Sequence, residues 1–165
     1  MKQLWAPWRM SYIVEEKPSG CIFCEKPKGQ DPRAELVLAQ SAYSVVMLNK
    51  YPYNNGHLLI APKRHERTFA ALPDTEYRDL GDLLKLSLDV LGRAFNPGGF
   101  NIGMNLGRTA GAGVEDHLHW HIVPRWEGDT NFMPVVGETR VIPEHLLKNY
   151  DRLSPMFLQA MAANA

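Results

Sequence analysis

Three of the six histidines of this chain fall at alternate positions in the stretch Asp116-His117-Leu118-His119-Trp120-His121-Ile122-Val123-Pro124. Successive side chains of a β-strand point to opposite faces, so we expect the three histidines to share one face and the apolar residues between them to enter a core. Each imidazole has two ring nitrogens that need partners, which makes three of them costly as packing residues. The pattern therefore predicts a functional site on a strand.

The composition is that of one globular domain without a strong charge bias. The chain has 165 residues, of which 45% are hydrophobic and 22% are charged, and Lys plus Arg equals Asp plus Glu at 18 each. This balance provides no basic field for nucleic acid or for an anionic membrane surface. No apolar run approaches the roughly 20 residues that cross a bilayer. We expect neither nucleic acid nor a membrane as a partner.

The two cysteines form a Cys-X-X-Cys pair, Cys21-Ile22-Phe23-Cys24. Two cysteines and no evident signal peptide argue against a secreted disulfide scaffold, so a cytoplasmic location is expected. Such a pair is typical of two kinds of site. In a redox site a helix should follow the second cysteine, whereas in a zinc site the pair supplies two of the four ligands. Because Pro27, Gly29 and Pro32 follow the pair, we favour zinc, for which downstream histidines supply the remaining ligands.

Hydrophobic periodicity predicts a mixture of strands and helices. Short alternating or apolar runs predict strands over residues 35–40, 43–49, 57–62, 100–105 and 138–142, in addition to the histidine strand. A long helix is predicted over residues 73–96, with an apolar stripe formed by Tyr77, Leu80, Leu84, Leu88, Leu91 and Phe95. A last helix is expected to begin at Pro143-Glu144, with Pro155 interrupting it.

The glycine-rich loop 107–113 precedes the histidine stretch and indicates phosphoryl chemistry. Glycines let backbone N–H groups approach phosphate oxygens without obstruction by a Cβ atom. A competing interpretation is a metal site, because alternate histidines on a strand resemble the three-histidine zinc arrangement of metal hydrolases. Residue spacing alone leaves both interpretations open.

Two blocks of sequence resemble one known family. The run His117–Val123 matches His-X-His-X-His-X-X with hydrophobic X, the signature of the histidine-triad (HIT) nucleotide hydrolases and transferases, and Gly56–His65 resembles their second block. The match covers roughly residues 20–126. Within the family, Leu4–Arg9 and Gly128–Met133 resemble the branch that contains bacterial diadenosine tetraphosphate phosphorylases.

The resemblance implies an α+β fold. We expect a five-stranded antiparallel sheet with one long helix packed on it, in a single HIT-like domain over residues 1–165. Its core would span about 20–126, with an N-terminal arm over 1–19 and a C-terminal extension over 127–165. Two such subunits commonly join, so the resemblance also implies a homodimer.

The resemblance further implies cleavage of dinucleoside polyphosphates at the α-phosphate through a covalent nucleotidyl-histidine. His119 would attack phosphorus, His121 would serve the leaving oxygen, and His57 would lie behind the triad that His117 completes. The AMP-containing substrate would be held by Asn49, Asn105, Gly111, Ala112 and Gly113. Either phosphate or water could be the acceptor. Other AMP-linked substrates such as phosphoramidates, and a weakly catalytic nucleotide-binding module, are the alternatives.

Zinc is the expected cofactor, with a structural role. Relatives that bind zinc use the cysteine pair, the histidine closing the second block and the first histidine of the triad. Carried onto this chain, the ligands are Cys21, Cys24, His65 and His117. A closed site with four protein ligands is structural, and the implied reaction requires no catalytic metal.

Overall fold

The fold is organised around a five-stranded antiparallel sheet, seen in a computed structural model that describes residues 20–129 and 144–163. The strands are paired in the order β1-β2-β3-β5-β4. Their bounds are β1 Val37–Gln40, β2 Ser44–Leu48, β3 Leu58–Pro62, β4 Gly99–Met104 and β5 Trp120–Arg125. The α+β architecture and the five-stranded sheet are therefore confirmed, and the histidine stretch provides the strand between β3 and β4.

Three α-helices accompany the sheet in the described residues: α1 Ile22–Glu25, α2 Asp74–Phe95 and α3 Leu146–Ala163. Short 3₁₀ turns cover Lys26–Lys28, Phe69–Ala71 and Arg108–Ala110. The long helix predicted over 73–96 is α2. It ends where Asn96 adopts a left-handed conformation with φ 44°, a common way to close a helix.

The buried face of α2 differs in part from the predicted stripe. Leu80 and Leu91 are buried as expected, but Leu83 and Val90 are buried as well. Tyr77 is 53% exposed and meets Phe69 edge-on instead of entering the core. The prediction that Tyr77 is buried was wrong. A period of three and four residues defines one face of the helix, but it does not define how far along the helix the sheet extends.

Helix α3 continues through Pro155, so the expectation that this proline interrupts the helix was wrong. Proline cannot donate the backbone hydrogen bond of a helix interior. Leu153 and Phe157, on either side of it, are fully buried in the core. The burial of these two side chains offsets the missing hydrogen bond.

The sheet has a different apolar layer on each face. One layer lies under α2 and α3 and contains Leu118 and Ile122, with Trp120 partly buried against it. The other layer contains Phe23 and Leu59, and Leu59 is paired with His121 across β3 and β5. The predicted alternation of the histidine stretch is thus present, although the hydrogen-bonded strand begins only at Trp120.

Some expectations concern residues outside the described ranges. The N-terminal arm 1–19 and the strand predicted over 138–142 both lie there. The division into a core over 20–126 with two extensions remains a prediction. Among the described helices, none combines the length and apolarity needed to span a bilayer.

Truncation of α3 in the core should destabilise the fold. Phe157 is fully buried, so Phe157→Ala is expected to lower the free energy of unfolding by about 3–5 kcal/mol. Its neighbour Leu158 is 65% exposed, so Leu158→Ala is the matched control and should change stability by less than about 0.5 kcal/mol. Urea unfolding followed by circular dichroism measures both, and equal losses would contradict the placement of α3.

Candidate active site and metal cluster

His117 is held from two sides. Its ring is fully buried, with Nε2 2.8 Å from the carbonyl oxygen of Pro62, the last residue of β3. A carbonyl oxygen only accepts, so Nε2 carries the hydrogen and Nδ1 keeps a lone pair. That Nδ1 lies 3.1 Å from Cys21 Sγ and 3.5 Å from Cys24 Sγ. The Pro62 carbonyl therefore orients a ligand nitrogen toward the cysteine pair.

Four potential ligands converge at this point: Cys21, Cys24, His65 and His117, with their ligand atoms all within 4.8 Å of one another. His65 Nδ1 lies 3.3 Å from Cys24 Sγ. Tetrahedral zinc with bonds of about 2.0–2.3 Å places its ligand atoms about 3.3–3.8 Å apart. The cluster can hold a metal ion, and two thiolates with two imidazoles are a donor set suited to zinc.

Local structure brings these ligands together. The carbonyl of Cys21 accepts hydrogen bonds from the N–H groups of Cys24 and Glu25, each at 3.0 Å, which closes the first turn of α1. On the other side, the Arg64 guanidinium binds both carboxylate oxygens of the buried Glu76 at 2.6–3.0 Å, in the first turn of α2. This ion pair fixes the segment after β3 that carries His65.

The pKa of one thiol of the cluster is strongly shifted. Burial, with the neighbouring Cys21 thiol, raises the pKa of Cys24 to about 11. Thiolates are the metal-binding form of cysteine, so binding of a cation displaces the proton.

His119 has the properties of a neutral nucleophile. It is 5% exposed, and its Nδ1 lies 2.9 Å from the backbone carbonyl oxygen of His117. Nδ1 must donate to that carbonyl, which leaves Nε2 without a hydrogen. Burial lowers the pKa of His119, against the opposing effect of its hydrogen bond to His117. The imidazole is therefore neutral near pH 7, with a free lone pair on Nε2.

His57 and His121 form a hydrogen-bonded pair beside His119. His57 Nε2 lies 2.9 Å from His121 Nδ1. Two donors face the other nitrogen of His57, the Tyr53 backbone N–H at 3.0 Å and Asn49 Nδ2 at 3.3 Å. His57 must then donate from Nε2, so His121 carries its hydrogen on Nε2. Burial, with a smaller effect of His119, lowers the pKa of His121 to about 4.

Two aromatic side chains that the sequence did not single out as site residues pack on the histidines. Phe23 lies 5.1 Å from the His117 ring and 4.8 Å from the His119 ring, between centroids. Tyr53 lies 4.6 Å from the His57 ring and is stacked on His121 at 5.7 Å. The position of Phe23 between the two cysteines could have predicted that it lies at the site. Nothing in the sequence of the loop marked Tyr53 as a site residue.

Two of the predicted substrate-binding residues, Asn49 and Asn105, lie near the histidines. Asn49 contacts His57, and its Oδ1 accepts the Tyr51 N–H at 2.9 Å. Asn105 follows Met104, which is paired with Trp120, so it lies at the level of His119.

The glycine-rich loop uses three of its N–H groups internally, and the first of them, that of Ala110, bonds the Gly107 carbonyl at 3.2 Å. The Gly111 N–H bonds the Arg108 carbonyl at 2.9 Å, and the Ala112 N–H bonds the Gly107 carbonyl at 3.3 Å. Gly107 and Gly111 have φ of 82° and 88°, a conformation that glycine adopts without strain. The phosphate-binding role assigned to Gly111, Ala112 and Gly113, like the ribose roles of Asn49 and Asn105, remains a prediction.

Comparison with known proteins identifies the family. The family described as "HIT domain" matches residues 32–128, which are more than half of the chain. The chain belongs to the HIT family. This HIT protein is 38% identical over 162 residues to the AP-4-A phosphorylase of Mycobacterium tuberculosis, covering 93% of this chain and 82% of the relative. It is 36% identical over 105 residues to an adenosine 5′-monophosphoramidase of Schizosaccharomyces pombe, covering 64% and 74%.

Solved HIT structures share the fold. A hypothetical histidine triad nucleotide-binding protein from Sulfolobus tokodaii superposes with a TM-score of 0.64 at 27% identity, covering 87% of this chain and 93% of the other. A zinc-bound histidine triad family protein from Mycobacterium smegmatis superposes with a TM-score of 0.68 at 23% identity, covering 87% and 97%. The sheet and helices described above are thus those of the HIT fold.

Removal of one sulfur ligand should empty the metal cluster. The purified protein is expected to carry about one zinc per chain, and Cys24→Ser should lose most of it, because three ligands hold the ion less tightly than four. His145→Ala is the matched control, since His145 is an exposed histidine outside the cluster. Inductively coupled plasma mass spectrometry measures the metal. Equal zinc in both variants, or none in the wild type, would contradict the assignment.

Proposed function

We propose that this HIT protein is a nucleotidyl hydrolase or transferase that cleaves dinucleoside polyphosphates, such as diadenosine tetraphosphate, at the α-phosphate. The observation that carries the proposal is the fixed tautomer of His119, whose Nδ1–H is bound to the His117 carbonyl at 2.9 Å. The identity with AP-4-A phosphorylase across 93% of the chain supports this substrate class.

In the first displacement, His119 Nε2 attacks the α-phosphorus of the bound nucleotide. A nitrogen–phosphorus bond forms while the bond from phosphorus to the bridging oxygen breaks, and the electron pair goes to that oxygen. The hydrogen stays on Nδ1 and remains hydrogen-bonded to the His117 carbonyl oxygen, which stabilises the positive charge that the ring acquires. The product is an adenylylated His119, and the leaving group is ATP when the substrate is diadenosine tetraphosphate.

His121 serves the leaving oxygen in this scheme. Its Nδ1 accepts from His57, so its Nε2–H is available to donate to the oxygen on which charge develops. His57 in turn is fixed as a donor by the Tyr53 N–H and by Asn49. The chain of hydrogen bonds thus prepares a hydrogen-bond donor for the leaving oxygen before substrate arrives.

In the second displacement, an acceptor takes the nucleotidyl group from His119. Inorganic phosphate would give ADP, and water would give AMP. The ribose is assigned to Asn49 and Asn105, and the phosphate oxygens to the backbone of residues 111–113.

Zinc in the cluster would act as a structural brace. Cys24 lies in α1 and Cys21 directly precedes this helix, whereas His117 provides the carbonyl that holds His119. A metal bound to both parts would tie the start of the domain to the nucleophile. The homodimer and the cytoplasmic location, both expected from the sequence, complete the proposal.

The reaction is tested by incubating the protein with diadenosine tetraphosphate, with and without phosphate, and separating the nucleotides. ADP plus ATP indicates phosphorolysis, and AMP plus ATP indicates hydrolysis. His119→Ala is expected to lower kcat by at least about 10³-fold, because the covalent route is lost. Leu158→Ala should keep wild-type activity, since the Leu158 side chain is 65% exposed on α3.

Trapping separates the alternatives. Mass spectrometry of wild-type protein after a non-acidic quench should detect AMP attached to His119. Full activity of His119→Ala would contradict the nucleophile. A wild type that binds nucleotide without turnover, and whose binding survives His119→Ala, would indicate a binding module. Turnover of an adenosine 5′-phosphoramidate but not of the dinucleotide would favour the activity named for the Schizosaccharomyces pombe relative.

A further inference from the structure

Tyr53 contacts both members of the His57–His121 pair. Its ring centroid lies 4.6 Å from that of His57 and 5.7 Å from that of His121, and its plane is within 14° of the His121 plane. The Tyr53 backbone N–H also donates to His57 Nδ1 at 3.0 Å. One residue therefore contacts the hydrogen-bonded pair through both its side chain and its main chain.

The loop that carries Tyr53 is anchored to β5. Asn54 Nδ2 donates to the Pro124 carbonyl at 3.1 Å and to Asp129 Oδ2 at 2.8 Å. The Arg125 guanidinium binds the same Asp129 carboxylate through Nε at 2.6 Å and Nη2 at 2.8 Å. The residue after Tyr53 is thereby fixed to the end of the strand that carries His121.

The same loop is anchored to α3. Asn149 Nδ2 donates to Asn55 Oδ1 at 2.9 Å, and both side chains are buried, with 3% and 8% of their surfaces exposed. A buried side-chain hydrogen bond is costly to break, because the buried Asn55 Oδ1 would lose this donor. Tyr53 therefore sits in a loop that is held from two directions, which is what a rigid support for a catalytic group requires.

We propose that Tyr53 is a positioning residue whose ring and backbone N–H together hold His57 and His121 in the orientation that lets His121 Nε2–H donate a hydrogen bond to the leaving oxygen. The inference rests on the proposed function, because it assumes that His121 serves the leaving oxygen. Aromatic stacking restricts rotation of the imidazole, and the N–H fixes which nitrogen of His57 accepts.

The consequence is a defect that depends on the leaving group. Without the ring, His121 Nε2–H is no longer aligned with the departing oxygen. A strongly basic leaving oxygen develops more negative charge and depends on that hydrogen bond, so its release slows, whereas a weakly basic one departs without it. Binding of the AMP portion involves other residues, so KM should change little while kcat falls.

The experiment compares Tyr53→Leu, Tyr53→Phe and the control Tyr43→Leu on phenyl and p-nitrophenyl esters of AMP. Tyr43 is 46% exposed and stands at the other end of β2 from the loop. Single-turnover release of the phenol reports the first displacement alone. Tyr53→Leu should slow release of phenol by about tenfold or more, but release of p-nitrophenol by less than about threefold. Tyr53→Phe keeps the ring and should restore both rates, and Tyr43→Leu should match wild type.

Nitrogen-15 spectra of the imidazoles give a readout that needs no turnover. Wild type and Tyr53→Phe should show His57 and His121 each in one tautomer with the hydrogen on Nε2. Tyr53→Leu should show averaged shifts for His121 while its circular dichroism remains that of the wild type. Unchanged imidazole shifts in Tyr53→Leu, equal losses on both esters, or a loss in Tyr53→Phe as large as in Tyr53→Leu would each overturn the proposal. A wild type that cleaves neither ester would contradict the proposed function, and the spectra would still decide the position of the imidazoles.

Discussion

The candidate active site depends on how His117 is held. Its Nε2 donates to the Pro62 carbonyl, its Nδ1 faces the sulfurs of the Cys21–Cys24 pair, and its backbone carbonyl accepts from His119. One residue thus connects the end of β3, the metal cluster and the proposed nucleophile. A displacement of His117 would alter the tautomer of His119 as well as the cluster, because the same residue participates in both.

Burying several imidazoles side by side is tolerable only because each ring has at least one nitrogen with a hydrogen-bond partner. An unsatisfied buried polar group costs about 1–3 kcal/mol. Several unpaired histidines here would therefore lower the free energy of unfolding by much of its total in a small domain. Burial lowers the pKa of His117 and His121 to about 4 and also lowers that of His119. The rings are therefore neutral near pH 7. Neutral rings avoid mutual repulsion and can act as acceptor and donor in one chain of hydrogen bonds.

The apolar surroundings support this arrangement from both faces of the sheet. Leu118 and Ile122 anchor the stretch in the layer under α2 and α3, and Phe23 covers His117 and His119 on the other side. Because the strand is fixed by these contacts, the imidazoles keep their places without help from substrate. The loop with Tyr53 completes the enclosure at His121.

The sequence by itself determined the elements whose signal is local. The alternation in residues 117–122, the long amphipathic helix and the spacing of the cysteine pair follow from side-chain periodicity and the motif, and the structure contains all three. The resemblance in two blocks was enough to identify the HIT family. The local pattern gave wrong predictions where tertiary packing determines the outcome. Tyr77 is exposed and not buried, and Pro155 lies inside a continuous helix and does not interrupt it.

Only the tertiary structure decided the states of His117 and His121. Which of their nitrogens carries the hydrogen depends on partners that are distant in sequence: Pro62 is 55 residues from His117, and His57 is 64 residues from His121. The same is true of the convergence of His65 with the cysteines and of the stacking of Tyr53 on His121. Hydrogen-bond direction and ring orientation are properties of contacts, and no periodicity along a single chain encodes them. The sequence therefore specified which histidines are candidates for the site, and the fold gave each of them its own hydrogen-bond partners.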